Sequence, residues 1–456
     1  MVCILLLALL LRLIHLNQSL WLDEAIQAWA VKSFSFPKLL TVFSPTDVHP
    51  PLSYLINKIF SSFFGYSEIA LRSPSVIFGV MAVYFIYKIA LILKIKPAYL
   101  PALLLSTSGL HLYYSQEARM YSLTVMLVSA SIYYLLQSIK NQKSLYLYFI
   151  FSLASFYSHY LAFTILPVNL LMVYLIKPQK IKALIKTQIF IFAAYLPWLP
   201  ILFNQLKAGI KASATVWGGV VGGLSFKNLL LIPIKFTIGR ISVENNYLFA
   251  LYLILPMMLI TYLFFIFIKN RNQNKPAFKT LFYWLLMPLI FAGLVSFKLP
   301  ILSYTRLIFI LPAFYLSLSL AISSFSKKCR LKISLILIFI NLITSFIYLF
   351  NPQFHREDWK SLARVLKEEN QNSYPVAVIA AVKAPLDYYY SGNLIDFPFL
   401  KDSQYLIYHP EIWVIPYAQP IFYPEFDYQS LLISSGFKPE FKQYFRGDLT
   451  LIKYIK

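Results

Sequence analysis

Six short stretches of this 456-residue chain carry side chains suited to proton transfer or anion binding. The first is Trp21-Leu22-Asp23-Glu24-Ala25, where two adjacent carboxylates follow soon after an apolar run. Acids close to a membrane surface are costly unless solvated, paired or used. The plain reading is a pair of acids complementing a helix N-terminus. His49-Pro50-Pro51-Leu52-Ser53-Tyr54 comes next, its prolines able to stiffen a turn or start a helix. Glu68-Ile69-Ala70-Leu71-Arg72-Ser73-Pro74 opens a long apolar segment, and its arginine reads as a headgroup anchor. Tyr113-Tyr114-Ser115-Gln116-Glu117-Ala118-Arg119-Met120-Tyr121 sets an acid and a base two residues apart, a pair that either closes on itself or binds a phosphate, whose geometry suits arginine. Ser158-His159-Tyr160 and Tyr304-Thr305-Arg306 complete the set. Each alone is better explained as structural; their convergence on one face is what points to function.

The elements that must position these groups are membrane helices. The chain is 59% hydrophobic and 13% charged, with mean hydropathy +0.65, against about a quarter charged for an ordinary soluble domain. A spanning helix takes roughly 20 apolar residues. Spans are expected near 2–16, 69–93, 98–113, 121–138, 145–158, 160–176, 187–203, 247–268, 280–297, 306–326 and 333–350, about eleven in all. Alternate loops at 94–97, 139–144, 177–186, 269–279 and 327–332 hold sixteen lysines and arginines and no acid. By the positive-inside rule these loops face the cytoplasm and the N-terminus is cytoplasmic. All acids and histidines then lie outside or at outer helix ends. The net charge of +23 is accounted for by this asymmetry, and nucleic acid is not an expected partner. The first apolar run is short, is interrupted by Arg12 and lacks a basic leader, and reads as an uncleaved span, with a signal peptide as the alternative. Cys3 and Cys329 both fall on the reducing side, so no disulfide framework is expected.

Hydropathy divides the chain into a bundle, 1–350, and a polar tail, 351–456. Within the bundle, 17–68 is a long outer loop with interfacial helices at Ala25–Phe43 and Leu52–Phe64. A second outer loop, 204–246, carries Gly218, Gly219, Gly222 and Gly223 and reads as mobile. The tail has 12 acidic and 11 basic residues. A helix at Trp359–Glu369 and strands at Val376–Val382, Ile412–Pro416 and Leu449–Ile455 make it a small extracytoplasmic α/β domain. No internal repeat is visible, which counts against an inverted-repeat transporter.

The ordered set Trp-Leu-Asp-Glu-Ala, His-Pro-Pro-Leu, Glu-x-x-x-Arg-x-Pro-Ser, Ser-Gln-Glu-Ala-Arg-Met-Tyr, Ser-His-Tyr and a late Tyr-Thr-Arg resembles the bacterial glycosyltransferases related to protein O-mannosyltransferases. These have the C-type (GT-C) fold, alongside the lipid A aminoarabinose transferases. The resemblance is close over about residues 10–175 and otherwise topological, including Arg356-Glu357-Asp358-Trp359 at the start of the tail. It implies an enzyme of the bacterial inner membrane with a polyprenyl-phosphate-linked sugar as donor. It also implies an active site at the outer leaflet and an acid of the first outer loop at its centre. Carried onto this chain, that acid is Asp23, with Glu24 beside it.

On that reading Asp23 takes the proton of an acceptor hydroxyl. Arg119, then Arg306 and His49, stabilise the departing phosphate, with Tyr304 and His159 at the same depth. Glu117 orients Arg119 or shares a divalent cation with Asp23 and His49 or His159, although the spacing matches no established metal motif. Direct displacement implies inversion at the sugar. The acceptor is a glycolipid, glycan or protein, and the tail differs from a β-trefoil, which puts a protein acceptor in doubt. The rival classes are a flippase for lipid-linked saccharides, which needs ionisable groups along a path inside the bilayer, a ligase for whole polymers, and a receptor using the tail to bind.

Overall fold

The computed structural model describes residues 1–213, 223–243, 245–401 and 406–456. Gly218, Gly219 and Gly222 lie outside them. Helices form at every predicted span, and five are long and apolar enough to cross a membrane among the described residues: Glu68–Ile92, Pro178–Lys211, Asn246–Lys269, Lys275–Val295 and Lys327–Phe350. Shorter apolar helices occur at Val2–Leu13, Ser144–Ser158, Tyr160–Ile176 and Ile308–Ser323. The chain is an integral membrane protein.

Helix Tyr121–Ser138 is central, packing most extensively on Glu68–Ile92 and Ser144–Ser158. Small polar side chains tie it in place, Ser131 to Ser152 and Thr124 to Ser158, each at 2.7 Å. Such pairs suit a bundle whose surroundings are as apolar as its core. Gly79 lets Glu68–Ile92 approach closely, because a Cβ there would lie 2.3 Å from Ser115 Oγ.

The span expected at 98–113 is broken into Leu100–Ser106 and Gly109–Ser115. Ser108 caps the second piece through the His111 N–H. The break accounts for the charge in the first helix. Arg12 is wholly buried and donates to the carbonyls of Ala8 at 2.8 Å and Ser106 at 3.2 Å, with His111 Nδ1 at 2.7 Å. A guanidinium supplies donors to carbonyls left unpaired at a helix end.

The described part of 204–246 is largely helical, which corrects the reading of it as a loop: Leu199–Ser213 and Phe226–Ile238 are helices. Ser225 caps the second by accepting from the Asn228 N–H, and Gly239 ends it at φ +70°. That is a complete start and stop signal, outweighed in sequence by the glycines nearby.

Between the first two spans, Leu22–Ser33 and Leu52–Phe64 are helices, the latter beginning directly after Pro51. The polar tail forms a five-stranded sheet, β1 Val376–Val378, β2 Leu394–Asp396, β3 Glu411–Ile415, β4 Lys438–Phe445 and β5 Leu449–Ile455, in the order β2-β1-β3-β5-β4. The first three pair in parallel, and β3-β5-β4 are antiparallel. Helix Trp359–Glu369 covers one face of the sheet with Trp359, Leu362 and Leu366.

One ion pair ties the outer loop to the bundle. Arg72, from the second span, grips Glu24 in a two-pronged contact, Nε to Oε1 at 2.8 Å and Nη2 to Oε2 at 2.6 Å. Its remaining donors reach the carbonyls of Leu16, Gln18 and Ser19. Arg72 is therefore a buried clamp and not a headgroup anchor. Removing one partner strands a buried charge, at a cost of about 3–5 kcal/mol. Arg72→Met and Glu24→Gln should each lower the melting temperature in detergent, because each leaves a buried charge without its partner. The double variant Arg72→Met/Glu24→Leu should recover part of the loss. Equal melting of all four proteins would remove the clamp from the account.

Candidate functional site

Successive helix residues point about 100° apart, so Asp23 and Glu24 in the first turn of Leu22–Ser33 separate. Glu24 turns inward and is wholly buried, while the Asp23 carboxylate keeps 33% of its surface exposed. Besides Arg72, Glu24 accepts the Ala118 N–H at 2.7 Å and pairs with Arg356 at 3.2 Å. Burial alone would raise its pKa, and the two arginines overcome that and hold it below the usual range. Glu24, read from the sequence as a catalytic residue beside Asp23, is engaged on every side by these partners and has no free face.

Asp23 faces outward onto Arg119, Oδ2 to Nη2 at 3.3 Å. The same Nη2 stands 3.2 Å from His49 Nε2. Behind His49 lies Asp47, which accepts from the Tyr54 hydroxyl at 2.6 Å and sits 3.5 Å from His49 Nδ1. Burial would raise the Asp47 pKa, but His49 and the tyrosine hydrogen bond bring it to about 2. The Gln205 amide fixes the His49 carbonyl at 3.0 Å.

His159 lies within electrostatic reach of His49, Arg119 and Arg306. Burial first, then these neighbours, lower its pKa to about 3. The ring is thus neutral, with Nδ1 accepting from the Leu161 N–H, which leaves Nε2 as the donor. Arg306 interacts electrostatically with Asp23 and Tyr121 and donates to the Pro300 carbonyl. Tyr304 is set to one side, in the electrostatic neighbourhood of Tyr114 and Arg240. The structure therefore gathers Asp23, His49, Arg119, His159 and Arg306 from five stretches of chain.

Beneath this surface runs a buried layer. Arg356 bridges Glu24 and Glu117, 3.3 Å from the latter, and lies over the Tyr113 ring at 4.5 Å. The second oxygen of Glu117 is buried without a hydrogen bond. Burial, opposed by Arg356 and reinforced by Glu24, pushes the Glu117 carboxyl up to about 7. Glu117 therefore does not orient Arg119 by direct contact. Its carbonyl does meet the Arg119 N–H at 2.8 Å, which fixes the local turn. Gln116 holds the first helix through the carbonyls of Arg12 and Ile14.

Two residues here escape the sequence reading. Asp47 is one of only six acids before residue 351, a scarcity that is a usable signal. Arg356 was legible only as part of a motif; its burial against two acids 239 or more residues away depends on the tail docking. That docking is held by Lys360 to Glu68 at 2.8 Å, by Tyr389, which accepts the Leu20 N–H at 2.9 Å, and by the Lys360 N–H, which donates to Ser19 Oγ at 3.3 Å; within the tail Arg446 donates to the Arg356 carbonyl at 2.8 Å. Of the candidate cation ligands, Asp23 and His49 face Arg119 and Glu117 faces Arg356. Among the described residues no three His, Cys, Asp or Glu side chains stand together.

A carboxyl raised in the folded state holds a proton that the unfolded chain releases near 4.5. Folded Glu117 therefore costs stability as pH rises from about 4.5 towards 7, with no further loss above that. The melting temperature of Glu117→Gln, measured against the native chain across this range, should lack that part of the slope. Parallel profiles would contradict the assignment.

The family model described as dolichyl-phosphate-mannose-protein mannosyltransferase matches residues 48–203, about a third of the chain. No curated protein sequence matches. Among solved structures, ArnT from Cupriavidus metallidurans in the apo state superposes with a TM-score of 0.62 at 10% identity, covering 99% of this chain and 97% of that one. The same protein bound to undecaprenyl phosphate gives 0.61 at 9% identity, with the same coverage. The archaeal oligosaccharyltransferase AglB from Archaeoglobus fulgidus, in complex with an inhibitory peptide and a dolichol-phosphate, gives 0.53 at 13% identity over 92% of this chain and 69% of that one. Likeness at such identities establishes architecture, and the chain carries the GT-C fold that its ordered motifs resemble.

Proposed function

We propose that this protein transfers a sugar from a polyprenyl-phosphate-linked donor to an acceptor hydroxyl at the extracytoplasmic face of the bacterial inner membrane. The observation that carries the reading is the contact of Asp23, Arg119 and His49 beside an apolar groove. The groove encloses about 420 Å³ and is lined by Leu40, Pro51, Leu55, Phe149, Tyr157 and Trp198 among others. Pro51, which lines it, is two residues from His49, the neighbour of Arg119, and this supports a donor whose lipid chain takes the groove and whose phosphate meets Arg119. That undecaprenyl phosphate is bound in the ArnT structure and a dolichol-phosphate in that of AglB supports a donor of this class.

Asp23 pairs with Arg119. An incoming donor phosphate competes for the guanidinium and frees the carboxylate. The acceptor oxygen then attacks the anomeric carbon, its proton passes to Asp23, and the bond from that carbon to the phosphate oxygen breaks with its electron pair on the phosphate. Arg119, with Arg306 and the His159 N–H, meets the charge that develops there. Attack opposite the leaving group inverts the anomeric centre. A divalent cation, if used, would draw on Asp23 and His49 and complete its shell from phosphate and water; chelation followed by readdition of Mg²⁺ or Mn²⁺ reads this out.

With purified protein in nanodiscs and a panel of polyprenyl-phosphate sugars, Asp23→Asn should lower turnover by about 10²–10⁴. Arg119→Ala should lower it by about 10²–10³, with melting unchanged in Asp23→Asn. The product should be inverted. Full activity in Asp23→Asn, or a retained anomer, would overturn the single-base scheme.

A further inference from the structure

A second polar pocket lies at the far end of the bundle. Helix Glu68–Ile92 has 25 residues, so its two ends are separated by about 37 Å. Glu68 marks the catalytic end; just past Ile92, Lys94 enters a cavity of about 200 Å³ shared with Phe267, Gln273, Phe278, Leu320 and Ser323. Three connections meet there, and hydrogen bonds across them fix its walls. The Asn274 amide donates to the Leu93 carbonyl at 2.7 Å. Ser323 Oγ accepts from the Lys96 N–H at 3.0 Å and donates to the Lys96 carbonyl at 2.9 Å. The Asn270 amide reaches Ser324 Oγ at 3.0 Å.

The lining is amphipathic, two phenylalanines and a leucine on one hand, amides, a hydroxyl and an ammonium on the other. The three connections, 93–97, 269–275 and 323–332, hold nine lysines and arginines and no acid. Lys94 is exposed and, among the described residues, has no ion-pair partner. A preformed, amphipathic cavity at the membrane edge with unopposed positive charge fits a phosphodiester joined to acyl chains.

We propose that this pocket binds the headgroup of an anionic phospholipid in the leaflet opposite the catalytic groups. The phosphodiester lies against Lys94, and the glycerol and upper acyl carbons lie against Phe267, Phe278 and Leu320. The fixed hydrogen bonds among the three connections make the site specific in place, unlike the diffuse attraction of a basic surface.

Native mass spectrometry of the detergent-solubilised full chain, titrated with phosphatidylglycerol or phosphatidylcholine, tests it. Phosphatidylglycerol should be retained about fivefold better, the preference expected of one well-placed surface lysine. Lys94→Glu and Lys94→Gln should both abolish the preference without changing the melting temperature. Lys182→Glu, the same charge change as Lys94→Glu on another basic loop, should preserve it. Equal retention of the two lipids, equal loss in Lys182→Glu, or displacement of the lipid by inorganic phosphate at matching concentration would each overturn the proposal.

Discussion

The contact on which the structure turns is the buried grip of Arg72 on Glu24. All five donors of one guanidinium are spent, two on the carboxylate and the rest on the carbonyls of Leu16, Gln18 and Ser19. Desolvating two charges is repaid only when hydrogen bonds satisfy what remains of them, and here they do. The consequence is geometric. With Glu24 fixed, the first turn of helix Leu22–Ser33 has one orientation, and Asp23 must face Arg119. Ala118, which donates to Glu24, is the residue before Arg119, so a single carboxylate sets both members of the outer pair.

This arrangement divides labour between neighbours in sequence. In 115–119, all buried, Gln116 turns to the first helix and Glu117 to Arg356, whereas Arg119 turns to Asp23 and His49. The polar tail contributes to the buried side. Arg356 closes the circuit between Glu24 and Glu117, and it is held from behind by Arg446. Undocking the sheet domain would therefore expose two buried acids to each other, so the domain's minimum role is structural completion of the layer under the pocket.

The long apolar helices were legible because hydropathy alone specifies them, and Leu52–Phe64, Trp359–Glu369 and β5 appear with the bounds read from sequence. The break at Thr107–Ser108 was not read, although Ser106-Thr107-Ser108-Gly109 mark it; Arg12, distant in sequence, donates to the Ser106 carbonyl at the broken end. Strand β2 is only three residues long, too short to show a period. Strand β4 begins Lys-Pro-Glu at a sheet edge, where proline is tolerated and burial is slight. At the site, the motifs named Asp23, Arg119 and His49 as a group, but sequence held Asp23 and Glu24 as one pair. Only the helix position of each shows that one faces water and the other a pair of arginines. Asp47 was hidden because its partners, Tyr54 and His49, are ordinary residues until folded.

The central claim is that Arg119 exchanges Asp23 for a donor phosphate. A cryo-EM structure of the protein with a non-transferable polyprenyl-phosphate sugar analogue tests it most directly. The account predicts the phosphate within hydrogen-bond distance of Arg119, the lipid chain in the groove beside Pro51, and the Asp23 carboxylate turned off Arg119 towards the anomeric carbon. A bound analogue whose phosphate lies elsewhere, with the ion pair between Asp23 and Arg119 intact, would contradict it.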